Sequence, residues 1–333
     1  MTDSPRNILW NWRNAAFGAV ISSIAALVIV LGQVENGLYL LIGAIPAAIL
    51  GLPPLRKDRR KVLIIGILFS VSVVMGALLA QWAVLAVIGM FLIGLGAALL
   101  AAKKPIGFPV LTICLPLAGI GLTYTDFGTG VVVGLLFIVG SVIALIAALA
   151  FPEFEAQVRP DPPLLSTAVA RDFGLRLGLA AALGTALSFY FDAEYAGWIV
   201  GSTLLVMRPS EEMMELRSIG RGVSVFVGSV VAAWLLTLDL SAVTIAVVGS
   251  GAIIAMAATN ASRWYVTPAF TTFLILWALL YGQASSANIH DRFNERVLST
   301  LLGIAIAYVF GFLAPKLMQR RSAVRPDTPH VPT

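Results

Sequence analysis

Residues 128–151 read GTGVVVGLLFIVGSVIALIAALAF. The stretch holds no Asp, Glu, Lys or Arg, and its Val, Leu, Ile and Phe fall on every face of a helical wheel. A helix that is apolar all round belongs in lipid or deep inside a large protein. About 20 such residues cross a hydrocarbon layer ~30 Å thick. Only helices and closed barrels satisfy their backbone groups in lipid, and uninterrupted runs of this length are helices.

Working outward, the chain offers eleven more runs of the same kind, near 14–34, 37–55, 62–81, 82–102, 106–124, 173–191, 195–214, 222–238, 240–259, 265–283 and 297–315. The composition agrees. Of the 333 residues 59% are apolar and 12% charged, and the mean hydropathy is +0.93. Soluble domains run near half apolar and a quarter charged. Twelve spans of about 20 residues use roughly 240 positions, which leaves no room for an ATPase module, a soluble catalytic domain or a DNA-binding domain. The single cysteine, Cys114, and the two histidines, His290 and His330, are too few for an internal disulfide, a thiolate metal site or zinc chemistry. The expectation is a protein that is not an enzyme, carries no cofactor or metal, and binds no nucleic acid. The N-terminal MTDSPRNILWNWRN lacks a short apolar core with a small-residue cleavage site, so it reads as a cytoplasmic lead into the first span.

The net charge of +5 gains meaning from its placement. With the N-terminus inside, 20 of the 22 Lys and Arg residues fall in cytoplasmic segments and two, Arg292 and Arg296, fall outside. Cytoplasmic loops carry the excess of positive charge in membrane proteins. The expected fold is therefore an all-α polytopic protein of the inner or plasma membrane, with about twelve transmembrane helices and both termini cytoplasmic.

The two halves resemble each other. Arg59 is followed after six residues by Gly66, and Arg221 after six by Gly228. Pro109-Val-Leu-Thr112 in the fifth run answers to Pro268-Ala-Phe-Thr271 in the eleventh. The offsets, 162 and 159 residues, nearly agree. Six spans is an even number, so the copies form a parallel repeat about an axis along the membrane normal. The expected organisation is a first six-helix repeat over 1–151, a cytoplasmic linker over 152–172, a second repeat over 173–316, and a Pro-rich disordered tail over 317–333. Small residues at four-residue spacing (Gly174, Gly178, Ala182, Ala186; Ser224, Gly228, Ala232; Ser299, Gly303, Ala307, Gly311) predict close helix packing.

The eighth run departs from the rest. Its uncharged part, Ala196 to Met207, reaches only about 18 Å. A full crossing would draw Arg208, Glu211, Glu212 and Glu215 toward membrane depth, with Arg208 one turn from Glu211 and Glu212 on a shared face. Pro209 cannot donate a backbone hydrogen bond, so a break or a first-turn position falls there. Charges at membrane depth are costly and face polar paths. On that reading Arg208, Arg217 and Arg221 bind an anion, while Glu211, Glu212 or Glu215 carries a proton. A short, tilted span ending in an ordinary charged cytoplasmic loop is the alternative. Thr267, Thr271 and Thr272 either line a path or bond back to their own helix. In NIHDRFNER, Asp291 and Arg292 are i, i+4 partners of Glu295 and Arg296, which predicts a solvated salt-bridge cluster on a starting helix.

The stretch Tyr195-Ala-Gly-Trp198 running into Arg208-Pro209-Ser210, then Arg221, Gly228, Arg296 and Gly303, resembles the fusaric acid resistance and aromatic acid exporter superfamily, whose module is the integral membrane bound transporter domain. Plant aluminium-activated malate transporters are distantly similar. The resemblance covers roughly 170–315. The family's Tyr-Trp pair is split here by two residues, and Ser224 and Val225 replace its Gly-Thr. The resemblance implies export of aromatic or other organic carboxylates, with protons as the candidate driving ion, Tyr195 and Trp198 stacking on an aromatic substrate and Arg296 joining the site. A passive anion channel and a non-transporting scaffold for envelope proteins are the alternatives. Its partners would be a small organic anion and the bilayer, with further copies of the chain or envelope accessory proteins left open.

Overall fold

The computed structural model describes residues 9–155, 164–191, 197–209, 211–262, 266–281 and 286–316. Its helices, in chain order, are α1 Trp12–Val30, α2 Val34–Leu50, α3 Arg60–Ala80, α4 Ala83–Lys103, α5 Gly107–Gly121, α6 Phe127–Ala150, α7 Thr167–Tyr190, α8 Gly197–Val206, α9 Glu211–Leu236, α10 Ala242–Ala258, α11 Val266–Leu280 and α12 Ser286–Tyr308. No strand occurs among the described residues. Side chains mark several starts. Asn11 accepts from the Arg13 and Asn14 amides, Asp126 from those of Gly128 and Thr129, Ser166 from that of Val169, and Ser241 from that of Thr244. Each satisfies a donor that a helix start would otherwise orphan.

Seven of these helices are long and apolar enough to cross a membrane: α1, α3, α4, α6, α7, α9 and α12. α2, α5, α8, α10 and α11 are shorter but equally apolar. Large apolar side chains face outward from most of them, among them Leu27, Val71, Val84, Val132, Ile146, Val247 and Leu298. A water-soluble surface would not carry so broad an apolar belt. The protein is a multi-pass helical membrane protein.

Two interhelical seams dominate the packing, α1 against α10 and α4 against α7. Inside them α3 packs on α6, α9 on α11, α12 on α8 and α2 on α6. Small residues set the approach. A Cβ on Gly303 of α12 would lie 2.7 Å from the Ile199 carbonyl oxygen of α8, and one on Gly228 of α9 would lie 2.5 Å from that of Ala269 in α11. These positions belong to the small-residue rows of the sequence, and close packing is their role.

Two helices carry a π-turn, at Val110–Cys114 in α5 and at Val309–Leu313 extending α12. Each precedes a proline by two residues, Pro116 and Pro315. A proline has no N–H for the carbonyl four residues back, and one wider turn absorbs the missing bond, with the Leu115 and Ala314 amides reaching the Val110 and Val309 carbonyls.

Several boundaries differ from the hydropathy reading, and the seventh helix begins at Thr167, inside the expected linker, instead of at 173. The ninth helix begins at Glu211 instead of 222, and the twelfth at Ser286 instead of 297. Their first turns are polar, and a hydropathy window scores a polar helical turn as loop. The eighth helix does not run to 214 but ends at Val206, ten residues after it begins. Arg208 and Glu211 therefore stand on opposite sides of a break, which corrects the expected pairing along one helix. Of the other assignments, the tail from 317 and residues 156–163 of the linker lie outside the described residues.

Candidate anion site

The break after α8 follows from two adjacent residues. Pro209 cannot donate, so the helical ladder stops there. Arg208 turns back, and its Nη1 donates to the Met207 carbonyl at 2.5 Å and the Leu204 carbonyl at 3.2 Å. A guanidinium at a helix C-terminus satisfies orphan carbonyls and meets the negative end of the helix dipole. The Arg208 side chain is thereby held at the end of a short, almost fully buried helix.

A cavity of about 340 Å³ opens at this point. Its cationic wall is Arg208, Arg217 and Arg221 near the start of α9, and Arg296 from α12. Arg217 and Arg221 are four residues apart and so share a face of α9. α11 contributes Thr267, Pro268 and Thr271, and α5 contributes Thr112 and Pro116. The remaining wall is apolar: Ile45 and Ile49 of α2, Phe69 of α3 and Phe137 of α6. Phe69 and Phe137 meet edge to face, ring centres 5.5 Å apart. The space is at the small end of ordinary ligand pockets and suits a one-ring compound.

The electrostatics are one-sided. Arg208, Arg221 and Arg296 are 6%, 5% and 4% exposed. None forms a salt bridge among the described residues, and the Nε atom of each is buried without an acceptor. Among the described residues that line the cavity there is no Asp or Glu. Arg208 feels the repulsion of Arg217, and Arg296 that of Arg221. An uncompensated buried charge costs several kcal/mol.

Arg296 has one further contact. Its guanidinium lies over the Trp198 ring, 4.4 Å from the ring centre. Trp198 is 3% exposed and stands behind the cavity wall. Arg296 thus covers one face of the Trp198 ring, and Trp198 is not among the described residues that line the cavity.

The structure brings Arg208, Arg217, Arg221, Thr271 and Arg296 to one cavity. Glu215 is exposed and takes no part in its wall. Tyr195 lies outside the described residues, as do the side chains of Glu211 and Glu212. Thr271 and Thr112 both bond back to their own helices, Oγ1 to the Pro268 carbonyl at 3.1 Å and to the Phe108 carbonyl at 2.8 Å. Arg296 is neither solvated nor in a first turn, and the only ion pair of that cluster among the described residues joins Arg292 to Glu295 at 3.0 Å.

The family model described as fusaric acid resistance protein-like matches residues 179–310. Over these residues the second half of the chain is similar to that family. The fusaric acid resistance-like segment carries all four cavity arginines, Trp198 and Thr271, while the apolar wall of Ile45, Phe69 and Phe137 precedes it. No curated protein and no solved structure matches the chain.

That apolar wall, and Thr112 beside it, escaped the reading of candidate residues. Isoleucines and phenylalanines that line a cavity look in sequence like those that face lipid. Thr112 carried a signal, because the sequence offset of 159 residues between Pro109-Val-Leu-Thr112 and Pro268-Ala-Phe-Thr271 matches it with Thr271.

Proposed function

We propose that this protein is an inner-membrane carrier of organic carboxylates, and that the arginine-lined cavity is its substrate site. The observation that supports this is a cavity in which three buried guanidiniums, Arg208, Arg221 and Arg296, without carboxylate partners among the described residues, face an apolar wall. Guanidinium binds carboxylate through paired hydrogen bonds that survive partial desolvation. The ring of an aromatic acid would rest against Phe69 and Phe137. The family's name refers to resistance to an acid, and export is the direction that gives resistance. No carboxylate among the described residues faces the cavity, so a proton carrier is sought in Glu211 or Glu212 at the start of α9, with Glu215 the weaker candidate.

We take the shorter helices to cross with the longer ones, giving twelve spans in two parallel six-helix repeats with cytoplasmic termini. Helix pairing supports this. A shift of six helices turns α4–α7 into α10–α1, α3–α6 into α9–α12, α2–α6 into α8–α12 and α5–α8 into α11–α2, and both members of each pair are in contact. The cavity then lies between the halves, cationic on one side and apolar on the other.

The test is flux. Full-length protein in proteoliposomes is offered radiolabelled benzoate and 4-hydroxybenzoate, with and without a pH gradient. The expected result is saturable uptake that Arg221→Ala and Arg296→Ala abolish in folded, inserted protein. Flux unchanged in both variants would overturn the site, and absence of flux for every acid would favour the scaffold reading. Large non-saturating currents would instead mark a channel.

A further inference from the structure

The cavity's charge exceeds what one carboxylate can balance. Three arginines of its wall, Arg208, Arg221 and Arg296, are each more than nine-tenths buried. Their Nε atoms find no acceptor, and no salt bridge reaches them among the described residues. A monoanion would leave at least two of these three positive charges uncompensated in a site walled by isoleucine and phenylalanine.

The cations also come from different places in the fold. Arg208 follows α8, Arg221 stands on α9 and Arg296 on α12. Arg217 and Arg221 are one turn apart on α9, about 6 Å along that helix. One carboxylate is too small to engage all of these positions.

We infer that the cavity takes a dianion, a compact apolar body bearing two anionic groups about 6 Å apart, held by the three buried arginines. Aromatic dicarboxylates have this chemistry: the ring meets Ile45, Phe69 and Phe137, and the two carboxylates meet Arg208, Arg221 and Arg296. The inference rests on the organic-anion reading and narrows it. It also explains why the halves differ at equivalent places. The shift of 159 residues that relates Thr112 to Thr271 relates Phe137 to Arg296, so the ring wall and one anion contact occupy matching positions in the two halves.

Calorimetric titration of the full-length protein in detergent, at fixed ionic strength, separates the possibilities. The probes are benzoate, phthalate, isophthalate and terephthalate. The expected result is one site per chain, with isophthalate or terephthalate bound at least about tenfold more tightly than benzoate. Arg221→Ala should shrink that preference to about threefold or less, while the exposed Arg171→Ala leaves it intact. If Arg221→Ala does not elute as folded protein, Arg208→Leu replaces it. Benzoate bound as tightly as every dicarboxylate, or two benzoates per chain, would overturn the dianion inference and leave the anion site standing. Folded protein that binds none of the four would overturn both.

Discussion

Arg296 and Trp198 show how one side chain can position another. The guanidinium over the indole ring at 4.4 Å is held without a carboxylate, so its charge stays available to the cavity. A cation–π contact of this kind contributes about 0.5–2 kcal/mol. Trp198→Ala should therefore weaken anion binding by about three- to tenfold, and Trp198→Phe should restore most of it, as read by calorimetry. An effect of Trp198→Ala on stability alone, with affinity unchanged, would reduce the ring to packing. The unpaired arginines make a second prediction with an unusual sign. Replacing an uncompensated buried charge by an apolar residue of similar volume removes a desolvation cost. Arg221→Met should raise the melting temperature of the ligand-free protein by a few degrees and abolish the stabilisation that added anion confers. A lower melting temperature would mean that Arg221 already has a partner.

Element by element, the packing rests on small residues, and some glycines matter far more than others. Gly303 stands against the Ile199 carbonyl and the Ser202 side chain, whereas Gly251 in α10 has nothing within 4 Å of an added Cβ. Gly303→Ala forces α12 off α8 and should cost roughly 1–3 kcal/mol. Gly251→Ala should be neutral or stabilising by about 0.5–1 kcal/mol, through the lower entropy of the unfolded chain. Thermal unfolding of both variants in detergent checks the contrast. The break at Arg208–Pro209 was legible in advance, because a proline after a short apolar run dictates it. The early starts of α9 and α12 were not. Their first turns are polar, and hydropathy alone cannot tell a polar turn that continues a helix from a loop.

For the whole molecule, composition and periodicity were enough to place the chain in a membrane as a bundle of helices. They could not show that arginines from two consecutive segments and one distant helix would meet, since that depends on α8 and α9 both packing on α12. Motif spacing and the family resemblance supplied those residues; geometry supplied the space between them and the apolar wall. The twelve-span arrangement carries its own prediction. Reporter tags at the N- and C-termini should both read as cytoplasmic in intact cells, since an even number of crossings returns the chain to its starting side. One cytoplasmic and one external terminus would remove the parallel repeat. The site itself is tested most directly by locating a bound anion. Crystals of the full-length protein soaked with saturating 4-bromobenzoate should show the bromine anomalous signal in the cavity beside Phe69 and Phe137, with the carboxylate on the arginines. A cavity left empty while the protein transports that same compound would contradict the account.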